Sequence, residues 1–311
     1  MTRSRWRAPV ALTLVFVLAV TAAACGDDGK DSASTGSKSD PTIRLAPQDF
    51  AEAKTLTEVY GQYLTAKGFD VDTQAPDGFR DQVYPDLEAD KIDLIIDYAG
   101  SASGFLDKTR AGSSDADATA AALTELLAKK DLVAFTPSPA EDANALVALK
   151  TWADEHGITK ISDLAKVDGS IKLGGAEDCR ERTDCLKGYT DPAIYGLTIS
   201  FTAVAYGPPL IAALDSGAED VVQYQTTAAE LASGKYVVLE DDKGILSSDH
   251  IVPVLRKELA DAYGAKLKDA IDELSAKITT DDLIAWNVST DIDKDEPADV
   301  AKAWLTDKGL L

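Results

Sequence analysis

Hydrophobic positions along residues 41–311 follow two spacings, one typical of strands and one typical of helices. Residues 92–98 read Ile-Asp-Leu-Ile-Ile-Asp-Tyr, a short apolar run that predicts a buried strand. Residues 51–67 repeat apolar side chains every three or four positions, which predicts a helix that buries Leu56, Val59, Tyr60, Tyr63 and Leu64. Alternation of such pieces over this length predicts a layered α/β protein with helices outside the sheets.

Three further segments complete the prediction. Residues 221–224 form a short apolar run that predicts a strand ending at Tyr224. Residues 145–156 and 253–259 carry apolar side chains at helical spacing, and we expect a helix over each. Residues 194–199 follow neither spacing and receive no assignment.

The amino-terminal stretch differs from the rest of the chain. Residues 1–24 begin with Arg3, Arg5 and Arg7 and continue in an apolar run that ends in small residues directly before Cys25. A charged region, an apolar region and a small-residue cleavage site predict a secretory signal peptide. The run Thr-Ala-Ala-Ala-Cys before and at Cys25 resembles the lipobox of bacterial lipoproteins, in which that cysteine carries the lipid.

Two alternatives to a lipoprotein signal stay open. One is an ordinary signal peptide with an incidental cysteine, and the other is a transmembrane helix, for which the run is short of the ~20 residues a span needs. Residues 25–40 contain no large apolar side chain, which predicts a flexible tether. We therefore expect an extracytoplasmic body, lipid-anchored through Cys25 to the outer face of the cell membrane.

The charge balance narrows the class of partner. The chain carries 53 acidic and 31 basic side chains, a formal net charge of −22. Nucleic acids and anionic lipid surfaces bind basic proteins, so neither is expected as a partner. The acidic balance favours cationic ligands, although salt screens this attraction beyond ~10 Å.

Two cysteines remain once Cys25 is assigned to the lipid. Cys179 and Cys185 enclose a five-residue loop that contains Arg182. An oxidising compartment permits a disulfide here, which we predict, and it would hold the loop of Arg182 in place. A structural zinc site is the alternative, but it lacks a second pair of ligands near these cysteines.

A set of short segments in a fixed order resembles one family. They include Gln-Asp-Phe-Ala-Glu at residues 48–52, the run from residue 87 to 101, and Tyr-Gly-Leu at 195–197. The remaining segments are Asn144 and residues 161–164, 179–188, 239–243, 253–256 and 299–305. In this order they resemble the substrate-binding proteins of glycine betaine/choline/osmoprotectant ABC importers, in particular their actinobacterial lipoprotein branch.

The resemblance implies an α/β fold of the two-lobed, type II periplasmic-binding-protein kind. Lobe one would span residues 41–138 and 241–311, and lobe two residues 139–240. A ligand would bind in the cleft between the lobes, which close on it like a hinge. The protein would then deliver this small molecule to a membrane permease and its ATPase complex.

The resemblance also implies the ligand contacts. In the family, tyrosine rings hold a methylammonium head, and Tyr98 and Tyr224 match two of those rings. Ser101 matches a hydroxyl donor, and Arg182 matches the arginine that binds a carboxylate. Gln48 stands where the family often has lysine. An aromatic face attracts a quaternary ammonium, which has no N–H to donate.

Two departures affect the expected ligand. Ala145 and Leu146 follow Asn144 where the family has a cage aromatic, and Asp249 stands in place of the tyrosine of a Pro-Pro-Tyr segment. We expect an incomplete cage, in which Asp249 holds a cation by its charge. This suits ligands with N–H donors better than fully methylated ones, which argues against glycine betaine itself and leaves choline, a carnitine-like compound or another amine open.

Other functional classes find little support. Asp249 and His250 are adjacent, and neighbours on an extended chain point in opposite directions, which does not suit a catalytic dyad. The chain lacks the common motifs for nucleophilic, metal-dependent or phosphate-binding catalysis. We therefore predict a protein that is not an enzyme and needs no cofactor or metal. A surface or sensor lipoprotein that binds ligand without transport is the alternative.

Overall fold

The computed structural model describes residues 41–109 and 112–311. The predicted signal peptide over residues 1–24, the anchor at Cys25 and the tether to residue 40 lie outside the described residues. The described strands are β1 (Ile43–Ala46), β2 (Val71–Asp72), β3 (Leu94–Tyr98), β4 (Leu132–Ala134), β5 (Asn144–Leu149), β6 (Ile171–Gly175), β7 (Ile199–Ala203), β8 (Val221–Gln225), β9 (Tyr236–Leu239) and β10 (Ile251–Arg256).

Helices alternate with these strands and pack against both sheets. The described α-helices are α1 (Ala51–Ala66), α2 (Arg80–Glu88), α3 (Ala99–Leu106), α4 (Ala116–Ala128), α5 (Lys150–His156), α6 (Leu186–Thr190), α7 (Pro208–Asp215), α8 (Lys257–Tyr263), α9 (Ala265–Ser275), α10 (Thr280–Asn287) and α11 (Pro297–Asp307). Short helical turns of other kinds cover Ile161–Lys166, Glu177–Glu181, Ala229–Ser233 and Val288–Ile292.

The strands form two five-stranded sheets with the same plan. Sheet one has the order β2-β1-β3-β10-β4, and sheet two has the order β7-β6-β8-β5-β9. In each sheet, one strand next to the edge runs antiparallel to both neighbours, β10 in sheet one and β5 in sheet two. Each sheet carries apolar clusters on both faces, so each has its own core.

The chain passes between the sheets twice. The first crossover segment, residues 135–143, leads from β4 to β5, and the second, residues 240–250, leads from β9 to β10. The two segments pair through an antiparallel bridge between Glu141 and His250. The backbone N–H of Asp142 also donates to the carbonyl oxygen of Asp249 at 3.1 Å. Residues on both crossovers are therefore held side by side.

Two helix predictions were wrong at their first halves. Residues 144–149 form β5 before α5 begins, and residues 251–256 form β10 before α8 begins. Both strands lie inside their sheets and bury both faces, so neither shows a two-residue alternation. Pro253 also argues against a central strand, since it cannot donate to a ladder. Its carbonyl oxygen nevertheless accepts from the backbone N–H of Phe135 at 3.0 Å.

Candidate functional site

A cavity of about 670 Å³ is lined by residues from both sheets and from both crossovers. Five aromatic side chains line it: Phe50, Phe79, Tyr98, Tyr206 and Tyr224. Tyr98 is the last residue of β3 in sheet one, and Tyr224 belongs to β8 in sheet two. Strand ends of α/β sheets are common ligand sites, and here strands of two different sheets contribute to one cavity.

Four of these five aromatic side chains lie in two pairs. The ring of Phe50 lies 6.0 Å from that of Tyr98, and the ring of Tyr206 stacks on that of Tyr224 at 4.9 Å with an angle of 22°. Gly207, with φ of 89°, precedes Pro208 at the start of α7. A glycine with positive φ followed by proline turns the chain sharply, which places Tyr206 beside Tyr224.

Sequence reasoning missed three of these aromatic residues. Tyr206 and Phe79 are among the exposed large hydrophobic residues, and in a sequence they resemble ordinary surface positions. Phe50 directly precedes α1 within a segment that carries the family resemblance, which was the available signal. Ala145 and Leu146 are buried in the cores on opposite faces of β5, so the positions without rings belong to the sheet interior.

The hydroxyl of Tyr98 is engaged inside the protein. It donates to Oε1 of Glu52 at 2.6 Å, and the amide nitrogen of Asn287 donates to Oε2 of Glu52 at 2.6 Å. Burial raises the pKa of Glu52, although both hydrogen bonds favour its ionised form. Burial beside Glu52 also raises the pKa of Tyr98. The ring of Tyr98, rather than its hydroxyl, is thus the part left for a ligand.

Gln48 and Arg80 are held by the same carboxylate. Asp97 is fully buried, and its Oδ1 accepts from Nε2 of Gln48 at 2.9 Å and from Nη2 of Arg80 at 2.7 Å. The hydroxyl of Tyr84 donates to Oδ2 of Asp97 at 3.0 Å. The positive charge of Arg80 is therefore neutralised within the protein by Asp97.

Ser101 and Asp249 meet at the edge of the cavity. A Cβ on Gly100 would lie 2.5 Å from the carbonyl oxygen of Ser248, so only glycine lets α3 approach the second crossover this closely. The backbone N–H and the hydroxyl of Ser101 both donate to Asp249. Burial raises the pKa of Asp249 to about 7.

Arg182 lines a second cavity, of about 600 Å³, which shares Ser101, Asn144 and Asp249 with the first. Its Nη2 lies 2.6 Å from Asp184. The disulfide between Cys179 and Cys185 closes the loop that carries it. The structure thus places Gln48, Tyr98, Ser101, Tyr224 and Asp249 around one cavity and Arg182 on the neighbouring one.

Residues 41–109 and 112–311 contain no group of three side chains arranged to hold a metal ion. Among the same residues, no helix is long and apolar enough to cross a membrane.

Two α/β sheets with a cavity between them, joined by two crossover segments, form the fold of binding proteins of the periplasmic type. The chain belongs to the family described as the substrate-binding domain of the ABC-type glycine betaine transport system, and the match spans residues 41–307. The predicted family and fold class are confirmed, and with them the role of substrate-binding component of an ABC transporter.

Three relatives illustrate the similarity. A glycine-betaine-binding protein of Pseudomonas aeruginosa is 25% identical over 284 residues, which is 87% of this chain and 89% of the relative. A glycine betaine/carnitine/choline ABC transporter structure has a TM-score of 0.76 at 22% identity, covering 86% of this chain and 99% of that one. Lactococcal OpuAC, closed on glycine betaine, has a TM-score of 0.57 at 17% identity, covering 87% and 97%. These two structures support the fold.

Proposed function

We propose that this protein captures a small organic ammonium ion in the cavity lined by Tyr98 and Tyr224 and delivers it to a membrane permease with cytoplasmic ATPases. The observation that carries the proposal is the combination of aromatic rings from two sheets with an excess of acidic side chains around one cavity. Aromatic faces attract a cation at about 0.5–2 kcal/mol per ring. The protein itself would hydrolyse nothing.

The charges around the cavity support a cationic ligand. Five acidic residues line it, and the two basic residues are Arg80 and Lys294. The guanidinium of Arg80 is paired with Asp97. In a partly enclosed space of low dielectric, this imbalance attracts a cation more strongly than it would at the surface. The acidic residues are Glu52, Asp142, Glu230, Asp249 and Asp291.

The position of Arg182 bears on which ammonium ion is bound. Glycine betaine carries a carboxylate, and its expected partner, Arg182, lies on the neighbouring cavity and is paired with Asp184 and Asp178. A ligand without a carboxylate needs no such partner. We therefore favour a choline-like or simpler ammonium ion over glycine betaine for the cavity between Tyr98 and Tyr224.

Capture would involve closure about the two crossover segments. We propose that residues 41–138 with 241–311 form one lobe and residues 139–240 the other. The bridge between Glu141 and His250 joins the crossovers beside the cavity and would act as the hinge. A lipid on Cys25 and the tether over residues 25–40 would hold the body outside the cytoplasmic membrane near the permease.

Choline and 3,3-dimethyl-1-butanol test the proposal, because the second compound has the shape of choline with a neutral carbon in place of the nitrogen. We expect choline or another ammonium compound to raise the Tm of the purified protein and the neutral compound to leave it unchanged, since binding to the folded state alone raises Tm. Equal shifts with both compounds, or no shift with any ammonium compound, would reject a cation site.

A further inference from the structure

The floor of the ligand cavity, which consists of Glu52, Asp142, Thr227 and Asn287, is held together by a continuous series of hydrogen bonds. Asn287 of α10 donates from Nδ2 to Glu52 of α1 at 2.6 Å and to the carbonyl oxygen of Thr227 at 2.9 Å. The hydroxyl of Thr227 in turn donates to Oδ1 of Asp142 at 2.8 Å. Glu52, Asp142, Thr227 and Asn287 all line the cavity. This series of hydrogen bonds therefore links a helix beside sheet one, the loop after β8 and the first crossover.

This floor has more acceptors than donors. Glu52 and Asp142 are both buried, and burial raises the pKa of each; repulsion by Glu52 raises the pKa of Asp142 further, and repulsion by Asp291 raises that of Glu52. Neither forms an ion pair with a basic side chain among residues 41–109 and 112–311, and Arg80 is bound to Asp97. A carboxylate has about four acceptor positions, of which the donors around Glu52 fill two.

Asn287 supplies a second and independent observation. Its side chain is 95% buried, and both hydrogen bonds formed by its amide use the nitrogen. Its Oδ1 has no hydrogen-bond partner within the described part of the chain. A buried carbonyl oxygen without a donor is uncommon in folded proteins, and this one belongs to the side chain that donates to Glu52 beside the cavity.

We propose that the floor formed by Glu52, Asp142 and Asn287 receives an ammonium group that still carries N–H, so that the ligand is a primary, secondary or tertiary amine. This rests on the proposed function, because it assumes that the cavity binds an ammonium ion. A protonated amine provides the missing donors and the missing positive charge together. A fully methylated ammonium provides only the charge and leaves the remaining acceptor positions of the floor unfilled.

The methylation series from ethanolamine to choline isolates this difference. Ethanolamine, its N-methyl and N,N-dimethyl derivatives and choline all carry a positive charge at neutral pH, and only choline lacks N–H. Titration calorimetry on the purified protein should show a loss of affinity of about 10-fold or more from the dimethyl compound to choline. Equal or tighter binding of choline would overturn the inference while leaving the cation site in place. If no member of the series binds, this inference fails; if no other ammonium compound raises the Tm either, the proposed function fails with it.

Two variants test whether Asp142 causes the difference in affinity between the dimethyl compound and choline. Asp142→Asn replaces a carboxylate of the floor with an amide of nearly the same shape and should weaken the binding of the dimethyl compound more than that of choline. Glu125→Gln removes one carboxylate from an exposed position on α4, away from the cavity, and serves as the matched control. Equal losses of affinity for both compounds in Asp142→Asn would mean that the floor contributes only negative charge to binding. That result would overturn its role as an acceptor of N–H.

Discussion

Asp249 accepts two hydrogen bonds from Ser101, one from the backbone N–H at 2.8 Å and one from the hydroxyl at 2.5 Å. The two residues join the start of α3 to the second crossover, and both line the two cavities. A carboxylate on the crossover is thus fixed in position beside the proposed hinge. Its ionisation should therefore affect the stability of the fold as well as ligand capture.

The first prediction concerns the pH dependence of stability. The pKa of Asp249 rises from 3.8 to about 7 on folding, chiefly through burial. Between about pH 4 and about pH 7, the unfolded chain is ionised here while the folded chain keeps the proton. Raising the pH through this window therefore costs stability, about 4 kcal/mol in full.

Asp249→Asn removes that cost and can still accept from the backbone N–H of Ser101. Its free energy of unfolding, relative to wild type, should rise between about pH 4 and about pH 7 in urea titrations. Asp117→Asn, on the exposed first turn of α4, is the control for loss of a negative charge. A stability difference that stays constant over this range in Asp249→Asn would show that the carboxyl ionises alike in the folded and unfolded chains.

The second prediction distinguishes the contribution of the aromatic ring of Tyr206 to binding from that of its side-chain volume. The ring stacks on Tyr224 and lines the cavity, yet about half of the side chain is exposed, so substitution should leave the fold intact. Tyr206→Leu should weaken the binding of an ammonium ligand by about 0.5–2 kcal/mol, because a face that attracts the cation is lost. Tyr206→Phe should bind nearly as well as wild type. Calorimetry checks both, and equal losses in the two variants would assign the effect to the hydroxyl.

The third prediction concerns the hydroxyl of Tyr98. Tyr98→Phe keeps the ring but leaves Oε1 of buried Glu52 without its donor. We expect the free energy of unfolding to fall by about 1–3 kcal/mol, the cost of a buried acceptor without a partner. Tyr98→Ala should in addition weaken ligand binding. Unchanged stability of Tyr98→Phe in urea titrations would mean that Glu52 does not depend on this hydrogen bond.

Much of the fold was predictable from the chain, and the exceptions have a common physical cause. The strand that ends at Tyr98 was assigned from a compact apolar run that is rich in isoleucine. β5 and β10 are strands where the sequence predicts helices, because a strand buried on both faces shows no two-residue alternation and each of these strands runs directly into a helix, α5 or α8. Pairing with neighbouring strands that are distant in the sequence determines that these segments are strands.

The residues of the candidate site also fall into those that a local sequence pattern predicts and those that it does not. Tyr98 and Tyr224 stood at strand ends, where the local pattern and the family resemblance agree. Tyr206 became a cavity residue through the turn at Gly207, which brings it onto Tyr224. Glu52 lies in the first turn of α1, where an acidic residue usually faces solvent and favours the start of a helix. Its burial beside Asn287 depends on contacts across 235 residues, which no local pattern contains.

The last prediction is that ligand binding releases protons. Burial raises the pKa of both Glu52 and Asp142, and a bound ammonium ion should lower both pKa values by favouring the ionised forms, so binding should release protons that these carboxyls hold in the free protein. The groups that face these two carboxyls are Tyr98, Asn287, Thr227 and Asp291 around Glu52, and Glu52, Thr227 and Asp249 around Asp142. Affinity should therefore rise with pH through the range in which these carboxyls ionise in the free protein. Calorimetry in buffers of different ionisation enthalpy counts the protons, and Asp142→Asn should release fewer of them than wild type or Glu125→Gln. A binding enthalpy that is the same in every buffer would show that the carboxyls of the floor are already ionised before the ligand arrives.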